Sequence, residues 1–345
     1  MDRDNDAGQS TIIDFYKRIP RAALPIQSND ETNPSANPST SQPEPFIDPT
    51  RLPPQPREDM ETKQRKNLRG IAAETIRLCS QLDPTLAYDA AASTSYTLEK
   101  LTRLNPALCP GHSPTPIKIV NRDSLTAAIE LSQLHNVTFA KTNQKLPLVM
   151  NFANRHQRGG GWLNGAVAQE EAICYRSTLS MSLEAARYPL SPKEALYNPT
   201  VVVLREESAR GHGVIPEAKR PVVAAVTVAA FQSPQVTIFG MADGTGKVVF
   251  ASEQDRRWTK DKMRLTLRIA AAHGHELLVL GAFGCGAFRN PPEDVAWCWR
   301  EVLGEHEFSG GWWKEVWFAI YDPSQTTDPT GNLATFQRVL DGLEF

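Results

Sequence analysis

The chain predicts an α/β fold in which helices cover both faces of one central sheet. Three observations carry this reading. Short apolar runs alternate with amphipathic helical stretches from Ile117 to the end of the chain. The composition, 41% hydrophobic and 22% charged over 345 residues, is sufficient for a sizeable core. Two glycine-rich segments each follow an apolar run directly, which is where α/β sheets place ligands.

The elements follow in order. Leu68, Ile71, Ala72, Thr75, Ile76 and Cys79 recur at helical spacing, so residues 58–80 predict an amphipathic helix. Residues 81–115 carry no clear period. Ile117–Val120 is a short apolar run, and Asp123 or Ser124 caps a helix reaching about His135. Leu146–Phe152 predicts a buried strand leading into a glycine loop, with a helix starting near Gln169. Strands are expected at Val201–Leu204, Pro221–Ala230 and Val236–Phe239. A helix over 255–273, a strand at Leu277–Gly281, a helix at Pro291–Leu303, a strand at Val316–Tyr321 and a last helix over Leu333–Leu343 complete the order. There is no internal repeat.

The first 57 residues differ. Ten of the 26 prolines lie before Glu58, and residues 22–57 are rich in Pro, Ser, Asn, Thr and Gln. Such a segment buries too little apolar surface to offset its ordering entropy. A disordered tail over 1–57 and an ordered domain over 58–345 are therefore expected. A formal net charge of −2 excludes affinity built on global basicity, and no direct binding of duplex DNA is expected. No apolar run reaches the roughly 18 residues of a membrane span, and MDRDNDAGQS lacks the apolar stretch of a signal peptide. Five cysteines, without a CxxC pair, speak for a reducing compartment. The histidines show no HxH or HExxH spacing, so neither a metal nor a cofactor is expected.

Residues 151–183 carry the strongest signal. A hydrophobic strand ends in Asn151, Gly159-Gly160-Gly161 follow, and seven residues later come Gln169-Glu170-Glu171 at a helix start. Glycines permit positive φ and close approach of a ligand. By itself each piece has an ordinary explanation: a flexible loop, and two acids complementing a helix dipole. A second segment, VLGAFGCGAFRNPPEDVAWCW (279–299), places Gly281, Gly284 and Gly286 after a strand, then Phe288, then a helix opened by Pro291 and Pro292. Its backbone N–H groups and the helix N-terminus form an anion cradle in physical terms. It lacks the lysine of a P-loop and does not match GxGxxG, which disfavours a nucleoside triphosphatase or a Rossmann dehydrogenase.

Together, GGG-x7-QEE with Arg176-Ser177-Thr178-Leu179 after it and Asn151-Phe152-Ala153 before it resemble the poly(ADP-ribose) glycohydrolases of the microbial type. The resemblance runs from about Arg57 to Phe345. It departs at Arg158, where the family usually has proline, and at 226–231, which lacks the prolines often seen there. It implies a three-layer α/β/α macrodomain-like fold with a mixed sheet, an N-terminal helical extension, and hydrolysis of ribose–ribose bonds in poly(ADP-ribose). It further implies that Glu171 is the general acid and that Glu170 holds ribose hydroxyls. The second loop, with Gly284, Cys285, Gly286, Ala287 and Phe288, wraps the diphosphate. Asn151, Asn154, Gly159, Gly160, Gly161 and Gln169 complete the expected substrate contacts. The substrates implied are poly(ADP-ribose) and ADP-ribosylated proteins. A non-hydrolytic ADP-ribose reader and a hydrolase of single ADP-ribose units stay open alongside.

The chemistry agrees with that division. The leaving oxygen needs a proton, and a water must reach the anomeric carbon. Neighbouring glutamates on a helix point about 100° apart and do not easily flank one bond. The helix dipole favours ionised Glu171, while desolvation and repulsion from Glu170 oppose it. Cys285 has no identifiable helper base, so it is a small loop residue rather than a nucleophile.

Residues 9–16, QSTIIDFY, fit Q-x-x-[ILM]-x-x-[FY]-[FY] and resemble the motif by which proteins bind the eukaryotic DNA sliding clamp. One helical turn brings Ile12, Phe15 and Tyr16 to one side, while Gln9 hydrogen-bonds nearby. The clamp is therefore an expected partner, and the nucleus the expected compartment, with the cytoplasm as the alternative.

Overall fold

The structure is a computed structural model describing residues 60–114, 116–137, 145–240, 246–322 and 329–344. Contacts divide the chain between Lys63 and Gln64, six residues beyond the expected boundary. The clamp-like motif at Gln9, Ile12, Phe15 and Tyr16 lies outside the described residues.

Helix α1 spans Met60–Cys79. Residues 81–115, without a period in the sequence, contain helix α2 (Pro84–Ala91) and strand β1 (Thr94–Thr97). The α2 start has two local causes: the Asp83 carboxylate accepts from the Thr85 and Leu86 N–H groups, and proline occupies the first position. Strand β2 (Lys118–Val120) precedes α3 (Ser124–Leu134), which Asp123 caps as expected. Strand β3 (Leu148–Ala153) leads through the glycine loop to α4 (Gln169–Arg176) and the short α5 (Leu179–Ser182). Then come β4 (Glu194–Val202), β5 (Val222–Ala229), β6 (Val236–Phe239) and β7 (Lys247–Phe250). Helix α6 (Glu253–Ala272), β8 (Leu277–Leu280), α7 (Pro292–Leu303), β9 (Glu315–Ala319) and α8 (Asn332–Leu340) close the fold.

Seven strands form one mixed sheet in the order β1-β4-β5-β3-β8-β9-β2. Strands β5, β3, β8, β9 and β2 run parallel, and β4 and β1 add antiparallel at one edge. Alternate residues divide between two cores. Leu148, Met150, Val226 and Phe318 pack with α6, α7 and α8. Val149, Ala225, Val279 and Trp317 pack on the opposite face with α1, α3 and α4. This is the expected three-layer architecture.

One strand begins earlier than expected, and one pairs outside the main sheet. The apolar run at Val201–Leu204 is only the end of β4, which begins at Glu194. Asn198-Pro199 interrupts the pattern because the register shifts there, between Asn198 and Val201; a bulge accommodates a proline that a regular ladder excludes. Strand β6 pairs with β7 in a separate two-stranded ribbon.

Candidate active site

Parallel strands β3 and β8 end side by side, so the loops that follow them meet. The loop after β3 opens with an Asx turn: the side-chain Oδ1 of Asn154 accepts from the His156 and Gln157 N–H groups at 2.8 and 3.0 Å. Gly159 and Gly160 then take φ of +69° and +58°. A side chain at Gly160 would displace the acids, since its Cβ would stand 2.3 Å from Glu171 Oε1 and 3.3 Å from Glu170 Oε2.

The glycines thus serve the protein's own carboxylates. The Gly159 N–H donates to Glu170 Oε1 at 3.2 Å and the Gly161 N–H to Glu171 Oε1 at 2.8 Å. The Gly160 N–H donates to the Gln157 carbonyl. All three glycine N–H groups are thus engaged within the protein. The acids also converge more than helical geometry alone suggests. They occupy the uncapped first turn of α4, and the loop closes over both.

Glu170 and Glu171 are 2% and 8% exposed. Glu170 Oε2 accepts from the Asn154 N–H at 2.7 Å, and Oε1 lies 3.4 Å from Asn151 Nδ2. Burial pushes the Glu170 carboxyl up to about 8, and the Glu171 charge adds to that; the Asn154, Asn151 and Gly159 donors pull the other way.

Two of the predicted contacts have partners within the protein. The Gln169 amide braces the site: Oε1 accepts from the Phe152 N–H at 2.8 Å, while Nε2 donates to the Met150 carbonyl and Ser124 Oγ. Both ends are engaged, so Gln169 sets the angle between β3 and α4 instead of presenting its amide to a ligand. Asn151 is fully buried and touches Glu170 and Thr227 rather than open space. The helix carrying the acids is anchored at its far end, where buried Arg176 pairs with Asp123, the cap of α3. Arg158, the departure before the glycines, donates to the Leu183 carbonyl.

The second loop, expected to cradle the diphosphate, follows β8. Gly284 is dictated by a φ of +76° and by Asn290 Nδ2, 2.5 Å from the position of a Cβ. Asn290, which the sequence reading passed over, ties the loop together by donating to the Gly284, Phe288 and Phe231 carbonyls. Among the described residues, the N–H groups of Gly286, Ala287 and Phe288 have no protein acceptor, and Gly286 and Ala287 are exposed. These can face an anion. Cys285 does not join them: its N–H donates to the Ala282 carbonyl, and burial raises its thiol pKa, which argues against a thiolate. Phe283 is core and Phe288 half-buried.

Residues 74–206, the stretch holding both glutamates, match the family described as microbial-type PARG, catalytic domain. The chain is similar to bacterial poly(ADP-ribose) glycohydrolases. The Thermomonospora curvata enzyme is 28% identical, with a TM-score of 0.63 over 80% of this chain and 100% of that one. The same enzyme bound to the inhibitor ADP-HPD gives 28% and 0.60, covering 79% and 99%. The Deinococcus radiodurans enzyme in complex with ADP-ribose gives 28% and 0.58, covering 76% and 99%. No curated protein matched the chain.

Proposed function

We propose that this protein hydrolyses ribose–ribose glycosidic bonds in poly(ADP-ribose) and releases ADP-ribose. One observation carries the reading: two buried carboxylates, enclosed by a glycine loop, lie where the β3 and β8 loops meet, in the stretch that matches the PARG catalytic domain. Glu171 protonates the leaving ribose oxygen and, as the resulting carboxylate, activates the attacking water. Glu170 accepts hydroxyls of the distal ribose. The Gly286–Phe288 N–H groups take the diphosphate, so the substrate lies across both loops. A reader that only binds ADP-ribose has less need of a second buried acid beside the first.

Incubation with purified poly(ADP-ribose) and chromatography for free ADP-ribose tests the reading; intact polymer beside bound ADP-ribose would indicate a reader. We further propose that Gln9, Ile12, Phe15 and Tyr16 dock the enzyme on the DNA sliding clamp in the nucleus. The support is the spacing of QSTIIDFY in a tail that precedes the catalytic unit.

A further inference from the structure

Behind Glu170 a row of buried polar side chains crosses the sheet. Asn151 Nδ2 lies 3.3 Å from Thr227 Oγ1 on the neighbouring strand, where the two residues are paired in register. Thr227 donates to Asn198 Oδ1 on β4 at 3.0 Å. Asn198 Nδ2 donates to Ser182 Oγ at 2.8 Å, and Ser182 donates to the Leu179 carbonyl at 3.0 Å. Asn151, Thr227, Asn198 and Ser182 are each fully buried.

The direction of this row is decided at its far end. A carbonyl can only accept, so Ser182 must give its proton to Leu179. Ser182 then accepts from Asn198, whose amide consequently turns its oxygen toward Thr227. Thr227 has one proton, and Asn198 takes it. Toward Asn151 it offers a lone pair, so Asn151 must present its NH2 group. That group also faces Glu170, while Asn151 Oδ1 has no partner among the described residues.

We infer that Thr227 and Asn198 are positioning residues, which hold Asn151 with its N–H toward Glu170 and so keep Glu170 an acceptor for ribose hydroxyls. This rests on the ribose-holding role given to Glu170 above. The ionisable groups around Glu170 are Glu171 and Cys174 on its own helix and Tyr188 from the segment before β4, with Arg158 beside Tyr188. Among the described residues, none of Glu171, Cys174 and Tyr188 donates to it, so the Asn151 donor is the side-chain hydrogen bond favouring the carboxylate. Losing the hydroxyl at 227 lets the amide of Asn151 turn over. An acceptor would then face Glu170, favouring the protonated form.

The test is ADP-ribose affinity by calorimetry from pH 6 to pH 10, beside polymer hydrolysis, for wild type, Thr227→Val, Thr227→Ser and Asn198→Ala. Thr227→Val shifts the pH dependence upward by about one unit, a loss of about tenfold at pH 7 that is recovered by pH 10. Thr227→Ser returns the wild-type profile. Asn198→Ala, which frees the Thr227 proton for Asn151, shifts it in the same direction and carries the test if the valine variant does not fold. A profile that superimposes on wild type, a loss equal at every pH, or failure of both variants to fold overturns the inference. Hydrolysis by the wild type judges the underlying reading independently. A wild type that neither cleaves polymer nor binds ADP-ribose overturns both.

Discussion

Replacing Gly160 by alanine adds one methyl group where the structure has least room for it. The new Cβ would lie 2.3 Å from Glu171 Oε1 and 2.9 Å from its Cδ, against an ordinary contact of 3.4 Å or more. The carboxylate must therefore withdraw by about 1 Å, and its bond from the Gly161 N–H, now 2.8 Å, lengthens or breaks. A displacement of about 1 Å at the reacting group is worth about 10²-fold in rate. The backbone adds a second cost, since alanine at a φ of +58° is disfavoured by about 1–2 kcal/mol. In a domain this size that lowers Tm by a few degrees, not enough to unfold it. Polymer hydrolysis under saturating substrate reads the first effect and differential scanning calorimetry the second. Gly286→Ala is the control, because no atom lies within 4 Å of its Cβ position and its φ is not left-handed. A folded Gly160→Ala enzyme with kcat within twofold of wild type would refute the claim that this glycine exists for Glu171.

Four further expectations follow from the same geometry. Glu171→Gln keeps the acceptor for Gly161 but has no proton to give, so polymer hydrolysis falls by about 10²–10⁴-fold while ADP-ribose binding largely survives; wild-type turnover would remove Glu171 from the acid role. Gly286→Glu has open space for its side chain, so circular dichroism stays unchanged while like charge weakens ADP-ribose binding in calorimetry. Unchanged affinity would place the diphosphate elsewhere. The Glu170 carboxyl is raised from 4.5 to about 8 on folding, so its neutral form is favoured; its stabilising contribution is complete below about pH 4.5 and is lost as pH rises through 8. Glu170→Gln should therefore match wild type in Tm near pH 4 and gain on it progressively toward pH 8, and a gap independent of pH would contradict this. Phe15→Ala with Tyr16→Ala should abolish binding of a labelled 5–22 peptide to purified sliding clamp in fluorescence anisotropy and leave hydrolysis in free solution unchanged, since aromatic anchors dominate such interfaces. Equal binding by the altered peptide would reduce the tail to a solubilising segment.

What the sequence by itself determined is local. The helical spacing of Leu68, Ala72, Thr75 and Cys79 and the apolar run Leu146–Phe152 define which face of each element is buried, because side-chain periodicity is a property of one element. Asp123 was legible as a cap, and Glu170-Glu171 as paired acids, because their roles depend on neighbours within a few residues. Tertiary structure alone decided what those acids face. Sequence reading gave the three glycines to the ligand, whereas the fold turns their N–H groups onto Glu170, Glu171 and Gln157. It buried Glu170 more deeply than Glu171, and it engaged Gln169 against Ser124, 45 residues away. Thr227 and Asn198 carried no local sign at all. They reach Asn151 only because β4, β5 and β3 are adjacent, and strand order is set by how the layers pack, not by the pattern within any strand.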